Sequence, residues 1–414
     1  MTDLISKVYA REIINARGIP TIETTVVLDS GITTKAASPA GLSVSDHEAI
    51  DLRDGDMKRY MGKGVQKAVS NVNDIISKAL KGKNPCNQRK IDELLISLDG
   101  TGNKSNLGGN AMISTSIAVA RAGAYLNKLP LYAYLGGENA VRLPIICPNL
   151  ISGSRTAGNN LDFEDFLVVP HGFSTFKESV RAVVEMFHIL NKKMIKRCGT
   201  VGQITALAPP DFKNEDAFDS LCEAIDQAGY NGKIGIAIDA ATDLIYDKQN
   251  QCYHMEAGKM NREELIGYYE QLCKKYPMVF IEDGLHEDDY EGFVLMTRRL
   301  SVPVIGDDLF ATSMERLRNG AEKKAGNGII IKANQSGTVT ETLDVSKEAQ
   351  RLNYIPIAST RSGETADEFQ ADLAVAEGAR YMKTGCPFRG EMVTKWNRLM
   401  EIEDELGDRC QFGG

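Results

Sequence analysis

Three apolar runs in the chain finish in carboxylates at corresponding points. Ile234-Gly235-Ile236-Ala237-Ile238 runs into Asp239, Met278-Val279-Phe280-Ile281 into Glu282 and Asp283, and Val302-Pro303-Val304-Ile305 into Asp307 and Asp308 across one glycine. Two later runs end in bases: Ile329-Ile330-Ile331 in Lys332, and "ARYMK" in Lys383. Between these lies "PIASTRSGET", with Thr360, Arg361 and Ser362. Carboxylates brought together must either take up protons or bind a cation. Oxygen ligands with no histidine or cysteine nearby select a hard ion such as Mg2+. One acid after a strand often caps the next helix; three at matching points argue for a metal. A lysine beside such a site is expected to be driven toward its neutral form, which suits a general base. Arginine with neighbouring hydroxyls suits phosphate or carboxylate oxygens. Together these residues point to abstraction of a proton α to a carboxylate, with Mg2+ stabilising the enolate.

For these residues to meet, the elements carrying them must converge. The polar ends at Asp239, Glu282, Asp307, Lys332, Thr360 and Lys383 are separated by 43, 25, 25, 28 and 23 residues, close to one strand plus one helix each. Residues 177–196 and 262–276 have amphipathic helical patterns. Alternating strands and helices predict an α/β parallel sheet, and this many units close most economically into a barrel whose chemistry sits at the C-terminal strand ends. No glycine-rich nucleotide loop follows any strand. Ahead of the barrel, residues 1–135 read as an α+β unit, with strands up to the turn at Asp29-Ser30-Gly31 and helical stretches at 64–80 and 109–128. The barrel is assigned to 136–414.

Composition sets the boundaries of function. The 414 residues are 43% hydrophobic and 25% charged, with net charge −8 and pI about 5.4. That balance predicts no nucleic-acid and no anionic-membrane partner, while leaving room for a small anionic substrate in a local basic pocket. Eight cysteines are scattered without metal or disulfide spacing. With no secretory signal and no apolar run near the ~20 residues of a membrane span, this predicts a cytoplasmic protein with reduced thiols.

At this resolution of detail the whole chain resembles the enolase family. "NARGIPTIE", "LRDGD", "LDGTGNKSNLGGNA", "IKANQSGTVTE", "RSGET" and "KTGCPFRGE" carry the resemblance from end to end. It implies an N-terminal α+β domain on an eight-fold α/β barrel of atypical strand order, and a homodimer. By motif it also implies that Asp239, Glu282 and Asp307 bind a first Mg2+, and that Ser43 in "AGLSVSD" binds a second. Lys332 would take the C2 proton, Lys383 would face the substrate carboxylate and metal, and Arg361 with Ser362 would hold phosphate. The substrate class is then a small phosphorylated or phosphono carboxylate.

The departures from that pattern cluster in the same site. Enolases have Gly-Asp-Glu-Gly-Gly-Phe-Ala-Pro where this chain has "GQITALAP", so Ile204 stands where a proton-donating glutamate is expected. Thr156 and Thr360 replace histidines, and Glu164-Asp165 replaces a Gln-Glu pair. The metal ligands and base are kept while the acid half is rebuilt. The leading expectation is therefore an enolase-family lyase or synthase with an altered acid half, in the manner of a carboxyphosphonoenolpyruvate synthase. The alternatives are an ordinary phosphopyruvate hydratase with Asp165 or Glu164 as replacement acid, and a non-catalytic enolase-like binding protein.

Overall fold

The computed structural model describes residues 3–41, 45–203 and 205–413. The chain begins as an antiparallel sheet of β1 (Ile5–Ile14), β2 (Pro20–Leu28) and β3 (Thr33–Ala37). Against it lies α1 (Gly109–Asn127), whose small residues allow close approach on several sides and which is buried over most of its length. Ile113 and Ile117 of α1 share one apolar cluster with Ile22 and Val26 of the sheet, and with Val339, Phe369 and Leu373 from the second half of the chain. The two halves are also joined by polar contacts. The buried Asp92 accepts hydrogen bonds from the Ser116 hydroxyl (2.6 Å) and from Thr340 N and Oγ1 (3.0 and 2.6 Å).

The second half is a closed barrel. Among the described residues, eight strands form the ring: β4 (Ile145–Ser152), β5 (Asp165–Val169), β6 (Gly235–Asp239), β7 (Met278–Glu282), β8 (Val304–Gly306), β9 (Gly328–Ile331), β10 (Ile355–Ser359) and β11 (Tyr381–Thr384). Pairing of Tyr381 with Ile145 closes it. Helices α2 (Phe176–Cys198), α3 (Asn214–Gln227), α4 (Arg262–Lys275), α5 (Tyr290–Arg299), α6 (Met314–Lys323), α7 (Val339–Arg351) and α8 (Phe369–Ala376) lie between the strands, and α9 (Gly390–Leu406) follows the last of them. Inside the ring, Cys147, Leu167, Ala237, Phe280, Ile305, Ile330 and Ile357 pack into an apolar plug. Polar strand ends are therefore pushed to the mouth above it.

One strand departs from the all-parallel sheet expected from the spacing. β5 runs antiparallel to both β4 and β6, while the other neighbours in the ring are parallel. The link from β4 to β5 contains only the one-turn helix Ser154–Ala157 and no helix long enough to carry the chain back along the barrel, and the strand turns back. Reversal places the first residue of β5, not its last, at the mouth, and Asp165 pairs with Asp239. In the N-terminal half, the expected helix at 64–80 spans Gln66–Leu80 with a π-helical segment at Val72–Ile76. No described helix is long and apolar enough to cross a membrane.

Helix capping is supplied by other residues than the strand-end acids. Side chains of Asn261, Asp289, Ser313 and Thr338 accept the first-turn amides of α4, α5, α6 and α7. Asp239, Glu282 and Asp307 are left facing the mouth.

Candidate active site

The mouth of the barrel holds one cavity lined by polar side chains from nearly every strand end, including Asp239, Asp307, Lys332, Arg361 and Lys383. On the β6–β8 wall the acids form two groups with ligand oxygens within 4.8 Å of one another: Asp239, Glu282 and Asp283, then Asp283, Asp307 and Asp308. Asp283 joins them. Its carboxylate accepts the backbone N–H of Asp307 at 2.9 Å and of Asp308 at 2.8 Å, and its own backbone is left-handed (φ 44°). That turn aims the acids into the cavity.

The charges are compensated from across the barrel. The Lys383 ammonium touches Asp239, donates to Glu282 at 3.0 Å and lies 3.4 Å from Asp165. Lys332 is ion-paired with Asp307. Burial pushes Glu282 well above the usual carboxylate range, with Asp239 adding to it. Burial also raises Asp283 and Asp308, each reinforced by neighbouring acids. For Asp307 burial is outweighed by Lys332 and Lys383, which hold it low. The lysines correct one expectation from the sequence. Burial does lower Lys332 and Lys383, but Asp307 on the first, and Asp239 and Glu282 on the second, outweigh it, so both are raised rather than driven toward neutrality.

These acids suit a hard divalent cation. The set is all oxygen, and Glu282 Oε2 is buried without any hydrogen-bond partner, an uncompensated acceptor of the kind a cation satisfies. Asp239, Glu282 and Asp307 do not share one cluster. Glu282 stands with Asp239, and Asp307 with Asp308, bridged by Asp283.

Arg361, at the end of β10, is buried and its guanidinium meets Glu48 at 2.8 and 3.3 Å. Glu364 accepts its backbone N–H at 3.0 Å. The loop Ala40-Gly41 lies directly against it, zipped by two backbone bonds between Ala40 and Gly363 (3.0 and 2.9 Å). A Cβ on Gly41 would lie 1.8 Å from Arg361 Nη2, so any side chain there would push the guanidinium out of its place. Ser362 also lines the cavity, and Thr360 ties β10 to β11 through its N–H and hydroxyl on Lys383 O. Ser43, expected at a second Mg2+, and Ile204 lie outside the described residues.

The wall at β4 and β5 is hydroxyl- and carboxyl-rich. Asn149 donates to Asp165 and to Ser152 Oγ (2.9 Å), and Ser152 shares a hydrogen bond with Thr205 (2.9 Å). Thr156 lines the same side. Burial raises Asp165 to about 6, with Lys383 opposing it and Asp239 adding to it. Glu164 is pushed up to about 8 by burial, Asp165 and Asp239. Of the two, Asp165 is engaged by Asn149 and Lys383, whereas among the described residues no side-chain hydrogen bond to Glu164 is seen.

Several residues of the site fall outside a search of strand ends. Glu48 sits in a loop, Gln335 in the one-turn helix Ala333–Ser336, Asn149 lies within β4, and Asp283 and Asp308 act through a turn. Only the last two carry a sequence signal, as the second acids of Glu282-Asp283 and Asp307-Asp308.

Comparison with known proteins gives matches over both halves. The family model described as "Enolase, N-terminal domain" matches residues 5–135, and "Enolase, C-terminal TIM barrel domain" matches residues 140–414. A curated relative, Enolase from Methanopyrus kandleri, is 45% identical over 417 aligned residues, covering 99% of this chain and 97% of that protein.

Proposed function

Because the chain belongs to the enolase family, we propose that it carries out the enolase reaction, Mg2+-dependent dehydration of 2-phosphoglycerate to phosphoenolpyruvate. One observation carries this reading beyond family membership. In the ring order β4 to β11, β5 and β9 stand four strands apart, on opposite sides of the mouth. Lys332 directly follows β9 and Glu164 directly precedes β5, so the candidate base and a carboxyl raised to about 8 stand across the cavity from each other. Removal of a proton from one carbon and of hydroxide from the next needs that arrangement.

In this reading Arg361 and Ser362 hold the phosphate, as a buried guanidinium and a hydroxyl are suited to do. Lys383 faces the substrate carboxylate. Asp239, Glu282 and Asp307 would hold Mg2+, with Ser43 at a second ion; the ion would supply positive charge opposite the substrate carboxylate, and Asp307, serving as its ligand, would no longer be committed to the ion pair with Lys332. Freed of that ion pair, the Lys332 amine is favoured by burial in its neutral form and accepts the C2 proton. The C2–H electrons form the new C2–C3 double bond as the C3–O bond breaks. Glu164 gives its proton to the departing hydroxyl, which leaves as water. Asp165, between Asn149 and Lys383, keeps the lysine in place.

The name and extent of the curated relative support this reaction. They lend nothing to the altered, carboxyphosphonoenolpyruvate synthase-like role, which is not carried forward. Location in the cytoplasm and homodimeric assembly belong to the same reading. The test is turnover of 2-phosphoglycerate, followed by phosphoenolpyruvate formation, beside deuterium exchange at C2. Turnover at ordinary enzymatic rates, ~10 per second or more, is the expected result. Exchange without dehydration would overturn the assignment of Glu164 as acid, and neither process would leave a non-catalytic protein.

A further inference from the structure

Gln335 follows β9 by four residues and is 2% exposed. All of its side-chain polar atoms are in use. Oε1 accepts from the Thr312 hydroxyl at 2.6 Å, while Nε2 donates to Asp307 Oδ1 at 3.0 Å and to Glu48 Oε1 at 3.2 Å. Chemistry sets the orientation of the amide. Two carboxylates face one end and only the N–H2 group can donate to both, so the carbonyl must turn to Thr312. Thr312 is itself 2% exposed and accepts the Lys332 backbone N–H at 3.0 Å.

The bonds on either side extend this into a continuous path. Asp307 is ion-paired with Lys332, and Glu48 is ion-paired with Arg361, itself 5% exposed. The main chain follows the same route, because Ala49 N donates to Gln335 O at 2.8 Å. Arg361 and Asp307 thus come from different strands, yet Asp307 and the counter-charge of Arg361, Glu48, meet on one amide. In a buried setting such charge-assisted bonds are strong and strengthen one another.

We propose that Gln335 is a positioning residue that locks Asp307 and the Glu48–Arg361 pair into one unit, so that the anion-holding and cation-holding sides of the cavity are set together. The inference rests on the roles assigned above to Asp307 and Arg361. Removing the amide would let Glu48 and Asp307 move independently, weakening binding at both ends.

The experiment uses the full chain, calorimetry with MgCl2 alone and with inorganic phosphate alone, and melting curves as a check on folding. Gln335→Met keeps the length of the side chain without its hydrogen bonds. It is expected to weaken both affinities by about threefold to tenfold, the net worth of one typical hydrogen bond. Thr312→Val, which frees the amide to turn, should shift both in the same direction. Thr312→Ser, which restores the hydroxyl, should return them to the starting values, a rescue that mere loss of packing would not show. If Gln335→Met does not fold, the Thr312 pair decides alone. Folded variants that bind both ions within about twofold of the unmodified protein overturn the inference and leave the proposed function standing. An unmodified protein that binds neither ion removes both.

Discussion

Replacing Glu164 with glutamine tests the acid half of the reaction. The substitution keeps the shape of the side chain and its ability to hydrogen-bond a hydroxyl, but leaves no transferable carboxyl proton. Loss of a positioned general acid is worth about 10²–10⁴ in rate, or about 3–5 kcal/mol of barrier, when the leaving group is as poor as hydroxide. The structure adds a pH signature. With a pKa of about 8, roughly nine Glu164 carboxyls in ten carry the proton at pH 7, half at pH 8 and one in ten at pH 9. Dehydration by the unmodified protein should therefore decline above pH 8. In Glu164→Gln it should be slower throughout and lose that decline. Deuterium exchange at C2 needs Lys332 rather than Glu164 and should change far less. The assay follows phosphoenolpyruvate formation and C2 exchange side by side from pH 6 to 9. Dehydration in Glu164→Gln within about twofold of the unmodified rate would refute the assignment. A decline centred near pH 6 would shift the role to Asp165, whose carboxyl is raised only to about 6.

Asp307→Ala removes a member of the second acid group and the partner of Lys332; calorimetry should show Mg2+ affinity reduced at least about tenfold, and unchanged affinity would move the metal elsewhere. Lys332→Ala should slow C2 exchange by about 10²–10⁴, and exchange at the original rate would pass the role to another base, Lys383 first. Glu377 is buried with neither carboxylate oxygen in a well-formed hydrogen bond, and burial, only partly opposed by the nearby Ser346 hydroxyl, pushes it well above the usual range. Its folded form binds a proton more tightly than the unfolded chain, so this contribution to stability is whole below the unfolded pKa and is lost as pH rises through the raised one. Glu377→Gln should accordingly raise the melting point at pH 8 relative to pH 5, on the order of 1–3 kcal/mol of relief; an identical pH dependence in both proteins would contradict this.

What the sequence made legible, and what it did not, follows from how each residue is placed. Asp239, Glu282, Asp307, Lys332 and Lys383 end apolar runs, and a barrel brings such ends to one mouth, so periodicity alone brings them together. Glu164 and Asp165 begin a strand. A short apolar run such as Phe166-Leu167-Val168-Val169 reads the same in either direction, and spacing alone would have sent its first residue to the far end of the barrel. Only the resemblance to a family put these two acids in the pocket, and the reversal of β5 supplies the physical cause. Protonation was misjudged for a related reason. Burial of Lys332 and Lys383 could be inferred from their position after apolar strands, but the opposing carboxylates come from strands 25 to 144 residues away and outweigh it. Glu48 and Gln335 end no strand, so no period marks them. Gly41 shows the limit most plainly. Its glycine is visible in "AGLSVSD" as one more flexible position, yet its use is the reverse of flexibility: a Cβ there would stand 1.8 Å from Arg361 Nη2, and its absence leaves the guanidinium its place against the N-terminal loop. The role belongs to a contact between residues 320 positions apart, and only the folded chain contains it.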